Sequence, residues 1–296
     1  MQDKSKNLII INIASFIMSF SGLFAKWISL ESYSIILGRT LVSLPIFLLV
    51  CFSFKLIKPF KTKRHLMLIC LSGLLMTLHW VLFYKSIQVS NVSVGVIAIF
   101  CYPLITSIIE PLVQKKSTNL RVILESIILI GGVFLLSFHS IDGQSIYLGL
   151  GLGLIAATAF ALRNIIIKEI VEEYSPIWLM MIQTCICVLI LFPFGITSVM
   201  QAGSKNLLLI AFVGIAITSF GHCLFIQAMK AFSASIVGVI SSLQLVYAIG
   251  ASVILLNEHL SLPMIIGGGI LVLVSVYEQI YTFNDKQNFL YNKNDG

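Results

Sequence analysis

Ten apolar segments, joined by short polar links, occupy almost the whole chain. A bilayer core about 30 Å thick is crossed by about 20 helical residues. Backbone groups in lipid must satisfy one another, which favours helices for segments of this length. We name the segments spans 1 to 10 and place them at residues 8–30, 33–54, 66–88, 91–113, 121–138, 146–168, 177–199, 206–229, 233–256 and 262–281. The sequence therefore predicts an all-α integral membrane protein with ten transmembrane helices.

Charge supports this interpretation, because only 10% of the residues are charged whereas soluble domains contain about 25%. A chain with so few charges cannot cover a water-facing surface. Its net charge of +7 lies in the links beside the spans, which is typical of membrane orientation and predicts no nucleic-acid partner. The six cysteines all fall within spans and form no CxxC pair, so we interpret them as packing residues.

The second half of the chain repeats the first at a constant shift of 142 residues. Matched pairs include Leu82 and Leu224, Phe83 and Phe225, Lys26 and Lys168, and Glu31 and Glu173. Apolar matches are common in such a chain, but two matched charges at one shift are a stronger signal. We predict two five-helix repeats at residues 8–138 and 146–281, followed by a disordered cytoplasmic tail at residues 282–296.

The orientation follows from the basic residues. With a cytoplasmic N-terminus, 14 lysines and arginines lie on the cytoplasmic side and 3 on the outer side, as the positive-inside rule requires. Both termini are then cytoplasmic. Because five is an odd number, the second repeat enters the membrane from the opposite side, which predicts an inverted-topology pair. In such folds the substrate site lies near the midplane, where the repeats meet.

Several motifs support a more specific resemblance. They are Lys26 after a small-residue helix, Arg39 early in span 2, Pro103 in span 4, and Asn257-Glu258-His259-Leu260-Ser261 before span 10. With ten spans in two halves, the chain resembles the EamA-type members of the drug/metabolite transporter superfamily. The resemblance implies a carrier of the bacterial inner membrane that exports amino acids or related metabolites. Lys116 and Leu245 stand where the family usually has Glu and Pro, so the motifs specify architecture better than cargo.

Polar residues inside the spans are the candidates for a binding site, because polar groups in a membrane usually face a cavity or each other. The candidate substrate-binding residues are Arg39, His79, Trp80, Tyr102, Thr106, His222, Ser241, Gln244 and Tyr247. The histidines occupy near-equivalent positions in the two repeats, and with Glu110 they are the candidates for proton coupling. The alternatives are histidines bonded to a backbone carbonyl, and small-residue helix packing in spans 4 and 9.

Two charged residues have further alternatives. Arg39 lies about two turns deep in span 2, where it either binds a cargo carboxylate or pairs with Glu31. Glu110 is near the cytoplasmic end of span 4, where it could pair with Lys115 or Arg121. Arg163 is closer to an interface and is interpreted as structural.

No Walker A loop, GxSxG, HExxH or dinucleotide fingerprint occurs, so we expect neither an enzyme nor a cofactor or metal site. The predicted function is a secondary transporter that exports small polar metabolites, such as amino acids, by alternating access around a midplane cavity. The alternatives are a carrier of larger metabolites (nucleotide- or sugar-linked, or similar to S-adenosylmethionine) and a non-transporting assembly protein. The expected partners are the cargo and the lipid bilayer. Spans 1 and 6 have faces of small residues that suit packing either within one protomer or between two, so a homodimer stays an alternative.

Overall fold

The computed structural model describes residues 2–137, 145–256 and 261–284, which form helices and short links without any strand in those ranges. The link motif at residues 257–260 and the predicted tail from residue 285 lie outside the described residues. In order, the helices of spans 1 to 5 are Gln2–Met18 with Ser21–Trp27; Ser32–Ser53; Lys63–Val89; Val92–Ile99 with Tyr102–Gln114; and Leu120–Ser137. Those of spans 6 to 10 are Ile146–Ile170; Pro176–Met200; Ser204–Phe212, Val213–Gly221 and His222–Ala228; Ala234–Ile240 with Leu243–Leu256; and Leu262–Asn284.

These helices confirm the predicted all-α architecture of ten spans. Eight are long and apolar enough to cross a membrane. Span 5 has 18 residues, and span 9 is a shorter apolar segment over Ala234–Gly250. The helix of span 10 continues to Asn284, three residues beyond the predicted end at 281.

The spans pack with the symmetry of the repeat. Span 3 packs against span 6, and span 8 packs against span 1. Exchanging each span for its counterpart in the other repeat converts the first contact into the second. The same exchange leaves the pairs 2 with 7, 4 with 9 and 5 with 10 unchanged, and all three are in contact. The repeats therefore interlock around a pseudo-two-fold axis, as expected for inverted topology.

Four of the spans depart from a continuous α-helix near the middle of the molecule. Span 1 breaks after Met18, and spans 4 and 9 break at residues 100–101 and 241–242. The span 4 break precedes Pro103, at the start of the next helix, where its missing N–H costs no helical hydrogen bond. Span 8 contains a π-helix over Val213–Gly221. Broken helices and π-turns are frequent at functional sites in transporters.

Close backbone approach at one glycine fixes spans 2 and 8. A Cβ added to Gly214 would lie 2.7 Å from the carbonyl oxygen of Arg39. The hydroxyl of Ser43 donates to the Gly214 carbonyl at 2.8 Å. This contact holds the π-helix of span 8 against the turn of span 2 that carries Arg39.

Candidate functional site

A cavity of about 120 Å³ lies where the two repeats meet. Five of the predicted site residues line it, namely His79, Trp80, Tyr102, His222 and Gln244. The remaining lining is apolar or small, and includes Met18, Gly22 and Phe160. Arg39, Thr106, Ser241, Tyr247 and Glu110 are not among the lining residues. The predicted site is thus partly assembled around one cavity, with several members one layer behind it.

Three pairs of lining residues are related by the repeat. Adding 142 to the first number gives the second for Met18 and Phe160, Trp80 and His222, and Tyr102 and Gln244. The cavity therefore lies across the pseudo-two-fold axis. The sequence analysis missed Met18 and Phe160, although applying the repeat shift to the predicted spans would have paired them.

His79 is held between the two repeats. Its Nδ1 lies 3.1 Å from the carbonyl oxygen of Ala156. A carbonyl only accepts, so Nδ1 donates and Nε2 is left as the acceptor of the neutral ring. The ring also stacks on Phe160 with centroids 4.3 Å apart. The backbone-bonded arrangement that the sequence analysis gave as an alternative is therefore present, and the same ring lines the cavity.

Trp80 connects two of the predicted residues directly. Its indole N–H donates to Nε2 of His222 at 3.3 Å, across the repeat interface. The guanidinium of Arg39 lies over the indole, 4.3 Å from the ring centroid, and Nη1 donates to the Tyr84 hydroxyl at 3.3 Å. A desolvated cation–π contact of this kind contributes about 2 kcal/mol. Arg39 therefore supports one wall of the cavity from behind Trp80.

Spans 4 and 9 meet through a second pair of predicted residues. The Tyr102 hydroxyl and Ser241 Oγ lie 2.5 Å apart, and both are buried. Thr106 donates to the carbonyl of Tyr102 within its own helix, at 2.7 Å, as a threonine in a helix often does. Tyr247 packs edge-on against Phe16, with ring centroids 5.7 Å apart. Ser241 thus orients Tyr102, whereas Thr106 and Tyr247 serve packing.

Glu110 has neither of the partners expected from the sequence. Its carboxylate accepts from the backbone N–H groups of Ala234 and Ser235, each at 2.9 Å, and from the Ser235 hydroxyl. Arg121 instead pairs with Glu125 and Glu278. The expected ion pair is wrong because the packing of span 4 against span 9 brings a helix N-terminus, with unsatisfied N–H donors, to this carboxylate.

The alternative pairing of Arg39 with Glu31 is also wrong. Glu31 pairs with Lys85, Oε2 to Nζ at 2.9 Å, at the end of the molecule. Arg39 is fully buried instead, because its helix places it one layer behind the cavity.

Arg163 is a second fully buried guanidinium, deeper than the sequence analysis placed it. Its Nε donates to Gln183 at 2.9 Å and its Nη1 to the side-chain oxygen of Asn164 at 3.0 Å. No carboxylate in the described residues pairs with Arg39 or Arg163. No group of three histidine, cysteine or acidic side chains there could hold a metal ion.

The two ends of the molecule differ. At one end, the link before span 3 is joined to the end of span 6 by the ion pairs Lys61–Glu173 and Arg64–Glu169. Nδ1 of His65 lies 3.1 Å from the Tyr174 hydroxyl in the same cluster. We call this cluster the ion-pair seal. At the repeat-related position of the other end, the contact is a backbone N–H of Ser29 donating to Asn206 at 3.4 Å.

An open cavity of about 580 Å³ lies at that second end, lined by residues that include Lys26, Glu31 and Gln88. At the first end, the hydrogen bond from Lys61 lowers the pKa of the Glu173 carboxyl. A lowered carboxyl pKa in the folded state means that the Lys61–Glu173 ion pair is present at neutral pH and is lost as the pH falls through that pKa. The described state therefore has the ion-pair seal at one end and an open cavity at the other.

Comparison with family models and with solved structures finds a match in each. The family model described as "EamA-like transporter family" matches residues 5–138 and 147–277. No relative is found among curated proteins. A solved structure described only as "Crystal structure of protein" superposes with a TM-score of 0.75 at 11% identity, covering 94% of this chain and 98% of that one. At that identity the likeness shows a shared fold.

Proposed function

The chain belongs to the EamA-like transporter family, and we propose that it is a secondary transporter that exports small polar metabolites such as amino acids. Transport of small molecules across a membrane is the function of that family. The cargo class, the direction and the mechanism are our proposal.

The observation that carries the proposal is the cavity across the pseudo-two-fold axis. Its walls combine aromatic rings with a few polar groups, from His79, His222, Tyr102 and Gln244, as small-molecule sites do. Both repeats contribute equivalent positions, so a rocking motion of one repeat against the other would expose the same residues to either side. The difference between the two ends, with ion pairs at one and an open cavity at the other, supports a cycle in which access alternates.

The proposed orientation makes the sealed end cytoplasmic, since Lys61 and Arg64 belong to the basic cytoplasmic links. Both termini then lie in the cytoplasm of a bacterial cell, with the protein in the inner membrane. With no nucleotide-binding motif in the sequence, transport is coupled to an ion gradient or is facilitative. His79, His222 and Glu110 remain the proposed proton carriers. Of these, the two histidines line the cavity.

Cavity size favours small cargo over the larger alternatives. Sites for drug-sized ligands measure roughly 300–1,000 Å³, whereas this cavity measures about 120 Å³. A nucleotide- or sugar-linked metabolite would exceed it, and an assembly protein would need no polar cavity at the repeat axis.

The test is counterflow in proteoliposomes loaded with a mixture of unlabelled amino acids and given each labelled amino acid outside. Gly22→Leu should abolish counterflow, because Gly22 lines the cavity, a Cβ there meets its nearest neighbours at ordinary contact distances of 3.6 Å and 4.0 Å, and the rest of the leucine would fill the cavity. Gly131→Leu is the matched control, since nothing lies within 4 Å of that position. Equal counterflow in wild type and in protein-free liposomes would refute the proposal for amino acids.

A further inference from the structure

The chemistry around Trp80 determines which ring nitrogen of His222 carries its proton. An indole N–H is only a donor, so Nε2 of His222, which receives it, must offer a lone pair. The ring is therefore neutral and its hydrogen sits on Nδ1. That Nδ1 is buried and has no hydrogen-bond partner. A buried donor left unpaired is costly, so this N–H is poised for an acceptor from outside the protein.

Arg39 presents the same chemistry on the face of the same indole. Its Nε and Nη2 are buried without partners, and only Nη1 is bonded, to a neutral hydroxyl. The side chain is fully buried in the membrane part of the molecule. A buried charge is normally paired, and here the described part of the protein supplies no carboxylate to pair with it.

The surplus of donors extends to Arg163. This guanidinium donates to the side-chain oxygens of Gln183 and Asn164. The amide nitrogens of both residues remain without hydrogen-bond partners. Neither guanidinium lines the cavity, but Arg39 lies against Trp80, which lines it together with His79 and His222. The residues that line the cavity include no aspartate or glutamate. The cavity thus has an unpartnered N–H donor on His222 in its wall, a positive charge on Arg39 behind that wall, and no negative group in its lining.

We propose that the cargo is recognised by a carboxylate, which accepts from Nδ1–H of His222 in the cavity and takes the Arg39 guanidinium, behind Trp80, as its countercharge. The proposal rests on the proposed transport function and narrows its cargo to small carboxylates, with amines and amides that lack a carboxylate excluded. The carboxylate would supply the negative charge that the described residues around Arg39 lack and the acceptor that the His222 donor needs. A guanidinium suits this role because it stays charged at any physiological pH.

Binding of acetate tests the proposal without knowledge of the natural cargo, because acetate contains the recognised group and fits a small cavity. Trp27→Phe and Trp178→Phe together leave Trp80 as the only tryptophan. Its emission is followed in purified detergent-solubilised protein during titration with sodium acetate, at ionic strength held constant with sodium chloride. Acetamide, of the same shape but neutral, is the matched ligand.

We expect a saturable change with acetate and none with acetamide. Arg39→Met, which removes the charge and keeps the volume, should raise the half-saturating acetate concentration about ten- to a hundredfold, as loss of a nearby buried countercharge does. His222→Phe should act in the same direction. Lys205→Met, which removes an exposed basic residue outside the cavity and the ion-pair seal, should leave the titration unchanged. Size-exclusion chromatography and circular dichroism verify that each variant is folded.

An equal response to acetamide, no response to acetate, or an unchanged titration in folded Arg39→Met would overturn the proposal. These results are independent of the counterflow assay. Acetate binding without counterflow would leave the carboxylate site standing and refute transport of the tested cargo. Counterflow that does not distinguish acids from their amides would retain transport and refute the carboxylate site.

Discussion

Glu110 gives the sharpest prediction, because its proposed role as a proton carrier and its contacts with a helix N-terminus predict different effects of one substitution. The helix Ala234–Ile240 begins beside it, and its first two backbone N–H groups donate to the Glu110 oxygens at 2.9 Å. The next N–H, of Ile236, is satisfied by the Ser233 side chain at 3.2 Å. Glu110 therefore completes the capping of span 9 from span 4.

The size of the effect follows from these contacts. Glu110→Gln keeps one acceptor oxygen and replaces the other with an amide that cannot accept. One buried backbone N–H is then left unpaired, and the remaining bond loses its charge assistance. Since the unpaired N–H costs about 1–3 kcal/mol and the lost charge assistance about 1 kcal/mol, the variant should lose roughly 2–4 kcal/mol of unfolding free energy. Unfolding in mixed micelles of mild detergent and sodium dodecyl sulfate, followed by circular dichroism, measures this loss.

Gln114→Leu is the control, because Gln114 donates to the same carboxylate but at 3.3 Å and in a partly buried position. Its loss should cost below about 1 kcal/mol, as for a long hydrogen bond whose removal leaves no backbone N–H unpaired. If Glu110→Gln unfolds like the wild type and loses only the coupling of flux to a proton gradient, the capping role is refuted and Glu110 is the proton carrier.

Three further predictions concern coupling, gating and topology. His79→Gln and His222→Gln should each flatten the pH dependence of proteoliposome flux between about pH 5.5 and 8, since a ring that carries a proton must take it up when the cavity is open to water, and glutamine keeps hydrogen bonding without titrating; unchanged profiles in both would make the rings packing residues. In a background without native cysteines, a short bis-methanethiosulfonate crosslink between Lys61→Cys and Glu173→Cys should reduce flux nearly to zero and reduction should restore it, because the proposed cycle requires the ion-pair seal to open; the single Lys61→Cys variant, treated alike, is the control, and flux that continues in the crosslinked protein would contradict this. Membrane-impermeant maleimide added outside intact cells should not label cysteines placed at Ser5 or Asn294. The reason is the count of 14 basic residues on the cytoplasmic side against 3 on the outer side, because basic links stay in the cytoplasm. Labelling of either site would reverse the orientation.

Part of the candidate site was accessible from the sequence. His79, Trp80 and His222 were identified as polar or aromatic residues inside spans, where the cost of burial favours a cavity. Tyr102 and Gln244 lie at equivalent points of the two repeats, so the 142-residue shift already related them. All five line the cavity in the structure. Such residues are recognisable because a polar group in an apolar segment is a local property of the chain.

The partners that were assigned wrongly depend instead on contacts between residues far apart in the chain. Glu110 was matched to nearby basic residues, and Arg39 to the nearest acid, because proximity along the chain was the available guide. In the structure Glu110 bonds to residues more than 120 positions away, and Arg39 lies over Trp80 of the next span. Arg163 was placed near an interface for the same reason, whereas packing against span 7 buries it completely.

Hydropathy, helix length and the repeat can be recognised from consecutive residues. The sequence by itself therefore determined the ten spans, the duplicated halves and the inverted arrangement. The contact between Trp80 and His222, the cap on span 9 and the difference between the two ends depend on which spans approach each other and at what depth. Those distances result from close packing of side chains across the pseudo-two-fold axis, so only the tertiary structure decided them.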